Sequence, residues 1–161
     1  MNEINFSWQE TQVLVQRIVD QIREVDKNYD FIIGINRGGL IPSVLLSHIL
    51  EIPHGVLTVS HYEGKKMLEQ VRKDLYISGI ISIKSHHNIL IVDDIADSGI
   101  CLRESLIAVK RIDGDANKID TATLFYKPKS IVKPTYFGKQ TEDEDWICFP
   151  WKMSAKNVIG V

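Results

Sequence analysis

Cysteine is scarce in this 161-residue chain, and its two copies, Cys101 and Cys148, lie far apart with no Cys-x-x-Cys or Cys/His spacing. That spacing suggests neither a disulfide scaffold nor a zinc site, so a reducing cytoplasm is the simplest setting. No run approaches the ~18 apolar residues that would read as a membrane span. The N-terminal stretch MNEINFSWQETQ has no basic segment followed by an apolar one, so the chain reads as soluble and unprocessed. Excess charge is missing too: 19 Lys and Arg against 21 Asp and Glu leave a formal net charge of −2, which argues against wholesale wrapping of nucleic acid. There is no internal repeat, low-complexity tract or long Pro/Gly/Ser linker. What remains is ordinary globular composition, 44% apolar and 25% charged, and the expectation is one domain over residues 1–161 with a single core.

Periodicity supplies the elements. Ser7-Trp8-Gln9-Glu10 has capping-box spacing, and Val13, Leu14, Ile18 and Ile22 then recur at helical intervals, predicting a helix to about Asp26 with those four residues in the core. Phe31 to Ile35 is a short β-type run; it meets Asn36-Arg37-Gly38-Gly39 before a helical pattern from Leu40 to Leu50. Gly55 to Val59 reads as a strand, and the polar stretch from Ser60 to Asp74 reads as a mobile loop. Leu75 to Ile77 and Ile80 to Ile83 suggest a strand pair turning at Ser78-Gly79. Asn88 to Val92 is a continuous apolar run of the kind buried on both faces, and a helix from Leu102 to Arg111 follows. Ile119 to Tyr126 is a further strand, stopped at Lys127-Pro128, and Asp145 to Trp151 closes the pattern with aromatics. Strands alternating with helices predict an α/β domain around a largely parallel sheet.

Two turns stand where such a sheet binds ligands, beyond the carboxyl ends of strands. In ILIVDDIADSGICL, Ile89 to Leu102, the small residues after Asp97 let amides converge at a helix start, which favours a phosphate. Asp93 and Asp94 would repel a phosphate placed against them. They fit sugar hydroxyls or a hydrated divalent cation instead. Arg37 with Gly38 and Gly39 offers a cation and amides for a second anionic group. A ligand with a monophosphate, ribose hydroxyls and a pyrophosphate uses all three features, and 5-phosphoribosyl-1-pyrophosphate (PRPP) is such a ligand.

Ile89 to Leu102 resembles the PRPP-binding signature of the type I phosphoribosyltransferases: an apolar run, Asp-Asp, two residues, then Asp-Thr/Ser-Gly. Within that family the chain is most similar to the bacterial xanthine-guanine (6-oxopurine) branch. IIGINRGGLIPSVLL resembles the pyrophosphate loop, LFYKP the purine-contacting lysine strand, and DWICFPW the base-binding segment, so matching motifs run in order from about Phe31 to Trp151. The resemblance implies that family's fold, with a central sheet flanked by helices, a flexible lid loop and a small base-binding hood. It implies roles as well. Arg37 and Gly38 would grip pyrophosphate, with a non-proline cis bond before Arg37. Asp93 and Asp94 would meet ribose hydroxyls and the shell of a Mg²⁺ cofactor. Asp97 would face purine N7 as the catalytic proton acceptor, while the backbone of Ser98, Gly99, Ile100, Cys101 and Leu102 holds the 5′-phosphate. Lys127 would donate to O6, Trp146 would stack on the ring, the Ile147 backbone would meet the group at C2, and Tyr62 would belong to the lid.

The implied activity is purine salvage from PRPP and guanine, xanthine or hypoxanthine, in a homodimer or homotetramer with no nucleic-acid partner. Two departures stand out: Cys101 occupies a position where relatives commonly carry Thr, and His61 interrupts a Ser-Tyr pair in the lid. A phosphoreceiver domain also places two carboxylates after a strand, but its acid pair lies near the N-terminus and its phosphoacceptor Asp at a later strand end, and neither is evident here. Trp151 reads as structural, Cys148 as a small buried residue and His86-His87 as a loop pair. A regulator that senses PRPP or nucleotides on the same fold while binding nucleic acid is the alternative reading, because fold does not determine function.

Overall fold

The computed structural model describes residues 2–60, 76–78, 88–112 and 118–152. Their order is β1 (Asn2–Asn5), α1 (Trp8–Glu24), β2 (Phe31–Asn36), α2 (Leu40–Leu50), β3 (His54–Ser60), β4 (Tyr76–Ser78), β5 (Asn88–Ala96), α3 (Ile100–Ile112), β6 (Lys118–Tyr126), β7 (Tyr136–Gln140) and β8 (Asp145–Cys148). Six strands make one sheet in the order β4-β3-β2-β5-β6-β7, parallel throughout except for the β3–β4 pair. β1 and β8 pair separately as a parallel two-stranded ribbon that carries Trp146 and Ile147.

Ser7 caps α1 as its spacing predicts: its Oγ accepts from Glu10 N at 3.2 Å, and Glu10 Oε2 accepts from Ser7 N at 2.8 Å. The buried stripe of α1 is Thr11, Leu14, Val15, Ile18, Val19 and Ile22, which corrects the expected core face. Val13 lies on the opposite side of the helix at 52% exposure, because at 3.6 residues per turn it falls half a turn from the middle of that stripe. β5 is buried on both sides, as its unbroken apolar run predicts. Leu90 and Val92 pack with α1 and α2, while Ile89 and Ile91 pack with Leu102, Ala108 and Val109 of α3. Helices therefore cover both faces of the sheet.

β5 does not end at Val92. It continues through Asp93 and Asp94 to Ala96 because β6 keeps pairing with it as far as Ala96↔Tyr126, whereas its pairing with β2 stops at Gly34↔Val92. Past that register β2 and β5 part, and the crevice between them is where the chain reverses its direction of travel across the sheet. β1 and β7 are not expected from the sequence; both are short and largely polar or glycine-bearing, and both are held by parallel partners, β1 by the distant β8 and β7 by the neighbouring β6. Ser78, expected in a turn, pairs with Thr58 in β4. Ser60, expected to open the loop, instead ends β3; the rest of that loop with Tyr62, the partner run Ile80 to Ile83, and His86-His87 lie outside the described residues. Cys148 is half-buried, its thiol donating to Glu3 Oε1 at 3.2 Å, so the expected buried site is a ribbon edge.

At the opposite end of the sheet from the crevice, Asp120 gathers Tyr29 Oη at 2.6 Å, Lys27 Nζ at 3.0 Å and Thr135 Oγ1 at 3.3 Å. Partial burial pushes the Asp120 carboxyl up, but the Tyr29 hydroxyl and the Lys27 ammonium outweigh it and hold the group below the usual carboxylate range. A folded-state value below the unfolded one stabilises the fold above the unfolded value, and that contribution is lost as pH falls through the folded value. Asp120→Ala is expected to cost about 1–3 kcal/mol at neutral pH in urea unfolding. The gap between variant and parent should hold from neutral pH down to about pH 4 and narrow only below the ordinary carboxylate value; a gap that narrows already between about pH 7 and about pH 5 would deny Asp120 this role.

Candidate functional site

The crevice is a cleft of about 770 Å³ at the carboxyl ends of β2 and β5. Arg37, Gly38, Asp93, Asp94, Asp97 and Cys101 line it, with Ser98, Gly99 and Leu102 completing the α3 side. The turn between β2 and α2 lies against the acidic pair so closely that a Cβ on Gly38 would overlap the Asp94 carboxylate, and one on Gly39 would overlap Val92 O. The Asn36–Arg37 peptide is cis, as the resemblance implies.

The turn into α3 requires glycine for a different reason. Gly99 has φ +78°, and a Cβ there would stand 2.7 Å from Val132 N. Ser98 Oγ accepts from Ile100 N at 3.4 Å, and Arg103 N bonds Gly99 O at 3.0 Å. The amides before Arg103 therefore have no acceptor within the helix, and together with the helix dipole they suit a phosphate. Cys101 is half-buried beside this turn; burial, then the charges of Asp93 and Asp94, push its thiol up, so it stays protonated.

Asp93 and Asp94 are 8% and 6% exposed. Asp93 Oδ1 accepts from Asp94 N at 2.9 Å, and its carboxyl is pushed well up by burial and by the Asp94 charge. Asp94 is also raised by burial, with the Lys152 ammonium, 3.3 Å from its Oδ2, pulling the other way. That Oδ2 is buried yet accepts no hydrogen bond. An under-satisfied carboxylate oxygen facing a cleft fits a cation with a partly aqueous shell. Among the described residues no group of three His, Cys, Asp or Glu side chains could hold a metal, so any ion here would take most of its ligands from water and substrate, as Mg²⁺ does.

Asp97 stands apart from the pair and has different company. Lys129 Nζ is 2.9 Å and Lys127 Nζ 3.4 Å from its Oδ1, although neither is aimed well enough to satisfy that oxygen as a hydrogen-bond donor. Partial burial raises the Asp97 carboxyl, but the two lysines prevail and hold it below the usual range. Lys127 is 4% exposed at the end of β6 and donates to Asp143 O at 3.2 Å, which joins this corner to the segment leading into β8.

Most of the residues expected at the site thus meet in one cleft or at its edge. Trp146 stands on β8 at 54% exposure with its ring open to solvent, and Ile147 beside it is buried. Three residues escaped the sequence reading. Lys129 was hidden by its place beyond a strand-breaking proline, and Lys152 carries no local signal because its partner Asp94 lies far away in the chain. Trp151, read as structural, does stack on Phe149 at 4.7 Å, but it also lines the cleft. A lysine two residues from Lys127 was the one signal available for Lys129.

The phosphoribosyl transferase domain family matches residues 6–157 of the chain. A xanthine-guanine phosphoribosyltransferase of Cereibacter sphaeroides is 30% identical over 127 residues, 79% of this chain and 71% of that protein. One of Idiomarina loihiensis is 27% identical over 157 residues, 94% of this chain and 88% of that protein. Among solved structures, a purine phosphoribosyltransferase of Pyrococcus horikoshii shares 35% identity at a TM-score of 0.77, covering 96% of this chain and 97% of the other. A xanthine-guanine-hypoxanthine phosphoribosyltransferase of Helicobacter pylori shares 25% at a TM-score of 0.83, with 97% of each chain covered.

Proposed function

Because the chain belongs to the phosphoribosyltransferase family, we propose that it is a purine salvage enzyme that transfers phosphoribose from PRPP to guanine, xanthine or hypoxanthine. The purine C1′–N9 bond forms as the C1′–O bond to pyrophosphate breaks, the base gives up a proton, and nucleoside 5′-monophosphate and pyrophosphate leave. The observation that carries this reading is the pairing of Asp97 with buried Lys127 beside an amide-lined turn.

Each part of the cleft has a task in it. The amides from Ser98 to Leu102 hold the 5′-phosphate, and Asp93 and Asp94 take the ribose hydroxyls. Arg37 and the Gly38 amide hold the pyrophosphate, where a cation opposes the charge gathering on the leaving oxygens. Lys127 donates to a 6-oxo acceptor and disfavours adenine, whose 6-amino group presents donors instead. Asp97 faces N7 and takes its proton, while the exposed Trp146 ring offers a stacking face and the Ile147 backbone borders C2. Asp93 and Asp94 would also hold a Mg²⁺ ion in the cleft; when bound, it would supply further charge neutralisation at the pyrophosphate. A homodimer or homotetramer in the cytoplasm belongs to the same reading. Among the described residues no helix is long and apolar enough to cross a membrane.

The test is a spectrophotometric assay of each purine with PRPP and Mg²⁺. Nucleotide should form with at least one oxopurine and not with adenine; no product from any oxopurine would sink the reading. Lys127→Ala is expected to lower kcat/KM for oxopurines by about 10- to 100-fold, the worth of a charge-assisted hydrogen bond. Unchanged oxopurine use in that variant would remove Lys127 from the base site. The relatives are named as enzymes, which does not favour the regulatory alternative.

A further inference from the structure

We propose that Lys129 sets the charge balance at the base-recognition corner and makes it accept xanthine, the most acidic of the three oxopurines, alongside the neutral ones. The inference rests on the purine reading above and concerns only which base that site favours.

The corner is built from two lysines on one turn. Lys127 directly follows β6, Ser130 N closes the turn onto Lys127 O at 3.0 Å, and Lys129 N donates to Asp143 Oδ1 at 3.0 Å. Both ammonium groups consequently reach the same two acceptors. Lys129 Nζ lies 2.9 Å from Asp97 Oδ1 and 3.3 Å from Asp143 O, while Lys127 Nζ lies 3.4 Å and 3.2 Å from the same atoms.

Asp97 Oδ1 lies beside both ammoniums, the Asp143 carboxylate accepts from the Lys129 backbone N–H, and Asp143 and Glu144 act on the Lys129 ammonium through their charge. Asp145, its Oδ2 accepting from Thr141 Oγ1 at 2.6 Å and from Glu142 N at 3.1 Å, also acts on the Lys127 charge at longer range. The two ammoniums therefore sit among four carboxylates, Asp97, Asp143, Glu144 and Asp145, with Asp97 in direct contact. Without Lys129, one cation fewer would offset these carboxylates, and the corner would be more negative by a unit charge.

Xanthine loses a ring proton near neutral pH, whereas hypoxanthine remains neutral there. A more negative corner would therefore penalise xanthine selectively, and the Lys129 ammonium reduces that penalty. Lys129 is half-exposed at 45%, so solvent screens its effect to a modest factor. Its partner Lys127 supplies the hydrogen bond to O6 common to all three bases; Lys129 supplies charge.

Steady-state kinetics with xanthine and hypoxanthine test this in the parent protein and in Lys129→Met, Lys129→Gln and Lys129→Arg. The xanthine-to-hypoxanthine ratio of kcat/KM should fall about tenfold in the Met and Gln variants and hold in the Arg variant. Calorimetric binding of xanthosine 5′-monophosphate against inosine 5′-monophosphate, without turnover, should show the same loss. A ratio within twofold of the parent's in both neutral variants, or one lost equally in the Arg variant, overturns the role of Lys129 and leaves the transferase reading intact. A parent protein that uses no oxopurine overturns both.

Discussion

Asp97→Asn is expected to lower kcat by about 10²- to 10⁴-fold, the usual worth of a positioned proton acceptor, while PRPP affinity changes only a few-fold. The split follows from where the three carboxylates lie. Asp93 and Asp94 are in β5, buried beside the Arg37 turn, whereas Asp97 is one residue past the strand with a side chain 45% exposed and facing Lys127 and Lys129. Asparagine keeps the shape but cannot take a proton from the base. Partial burial raises the Asp97 carboxyl and the lysines lower it further than burial raises it, so it is ionised throughout the neutral range. Activity limited by this group should hold as pH falls from 7 and decline only below about 4. Single-turnover kinetics and calorimetric PRPP binding separate the two effects. A variant with kcat within tenfold of the parent's, or with PRPP affinity reduced as much as turnover, would remove Asp97 from the proton-transfer role.

Gly39→Ala should damage the molecule more broadly. Its φ of −69° is available to any residue, so conformational freedom does not explain the glycine. Space does. An added Cβ would overlap Val92 O and stand 2.8 Å from both Asp93 Cα and Ile35 O, which are backbone atoms of the two central strands where they begin to part. A flexible side chain could move aside; paired strands cannot. The expected cost is about 1–3 kcal/mol or more, read as a Tm lower by roughly 4–10 °C for a chain of this size. PRPP binding should weaken with it, since any relief moves Arg37 and Gly38 off the acidic pair. Gly38→Ala gives the contrast: its Cβ would first meet the Asp94 carboxylate, a side chain rather than strand backbone, so ligand binding should suffer while Tm falls less. A Gly39→Ala protein with parental Tm and PRPP affinity would show that the approach of turn to strand is looser than the packing implies.

The site was more legible than its surroundings for a physical reason. Asp93-Asp94, Asp97-Ser98-Gly99 and Arg37-Gly38 are local clusters whose chemistry is carried by neighbours in sequence, and charge repulsion alone separates the pair that suits hydroxyls from the turn that suits phosphate. The elements read best were those with strong local signals: the Ser7–Glu10 box, the helical stripe after it, and the apolar run of β5. β1 and β7 carry no such signal. They are strands because β8 and β6 offer hydrogen bonds across more than a hundred residues in one case and about fourteen in the other. Val13 went astray because four apolar residues near the right spacing do not reveal where the stripe is centred until the sheet picks a side.

What the amino-acid order determined by itself is the alternation of strands and helices, the two glycine turns, and the kind of ligand those turns accept. Each depends on side chains and backbone freedom within a few residues. Only the tertiary structure decided that β5 runs on through Asp93 and Asp94, that Lys129 shares both acceptors of Lys127, and that Lys152 stands 3.3 Å from a buried oxygen of Asp94. Those facts depend on which strand keeps pairing and which parts, and on where the end of the described chain comes to lie. Such long-range choices are made by the packing of the whole sheet, and no window of sequence holds them.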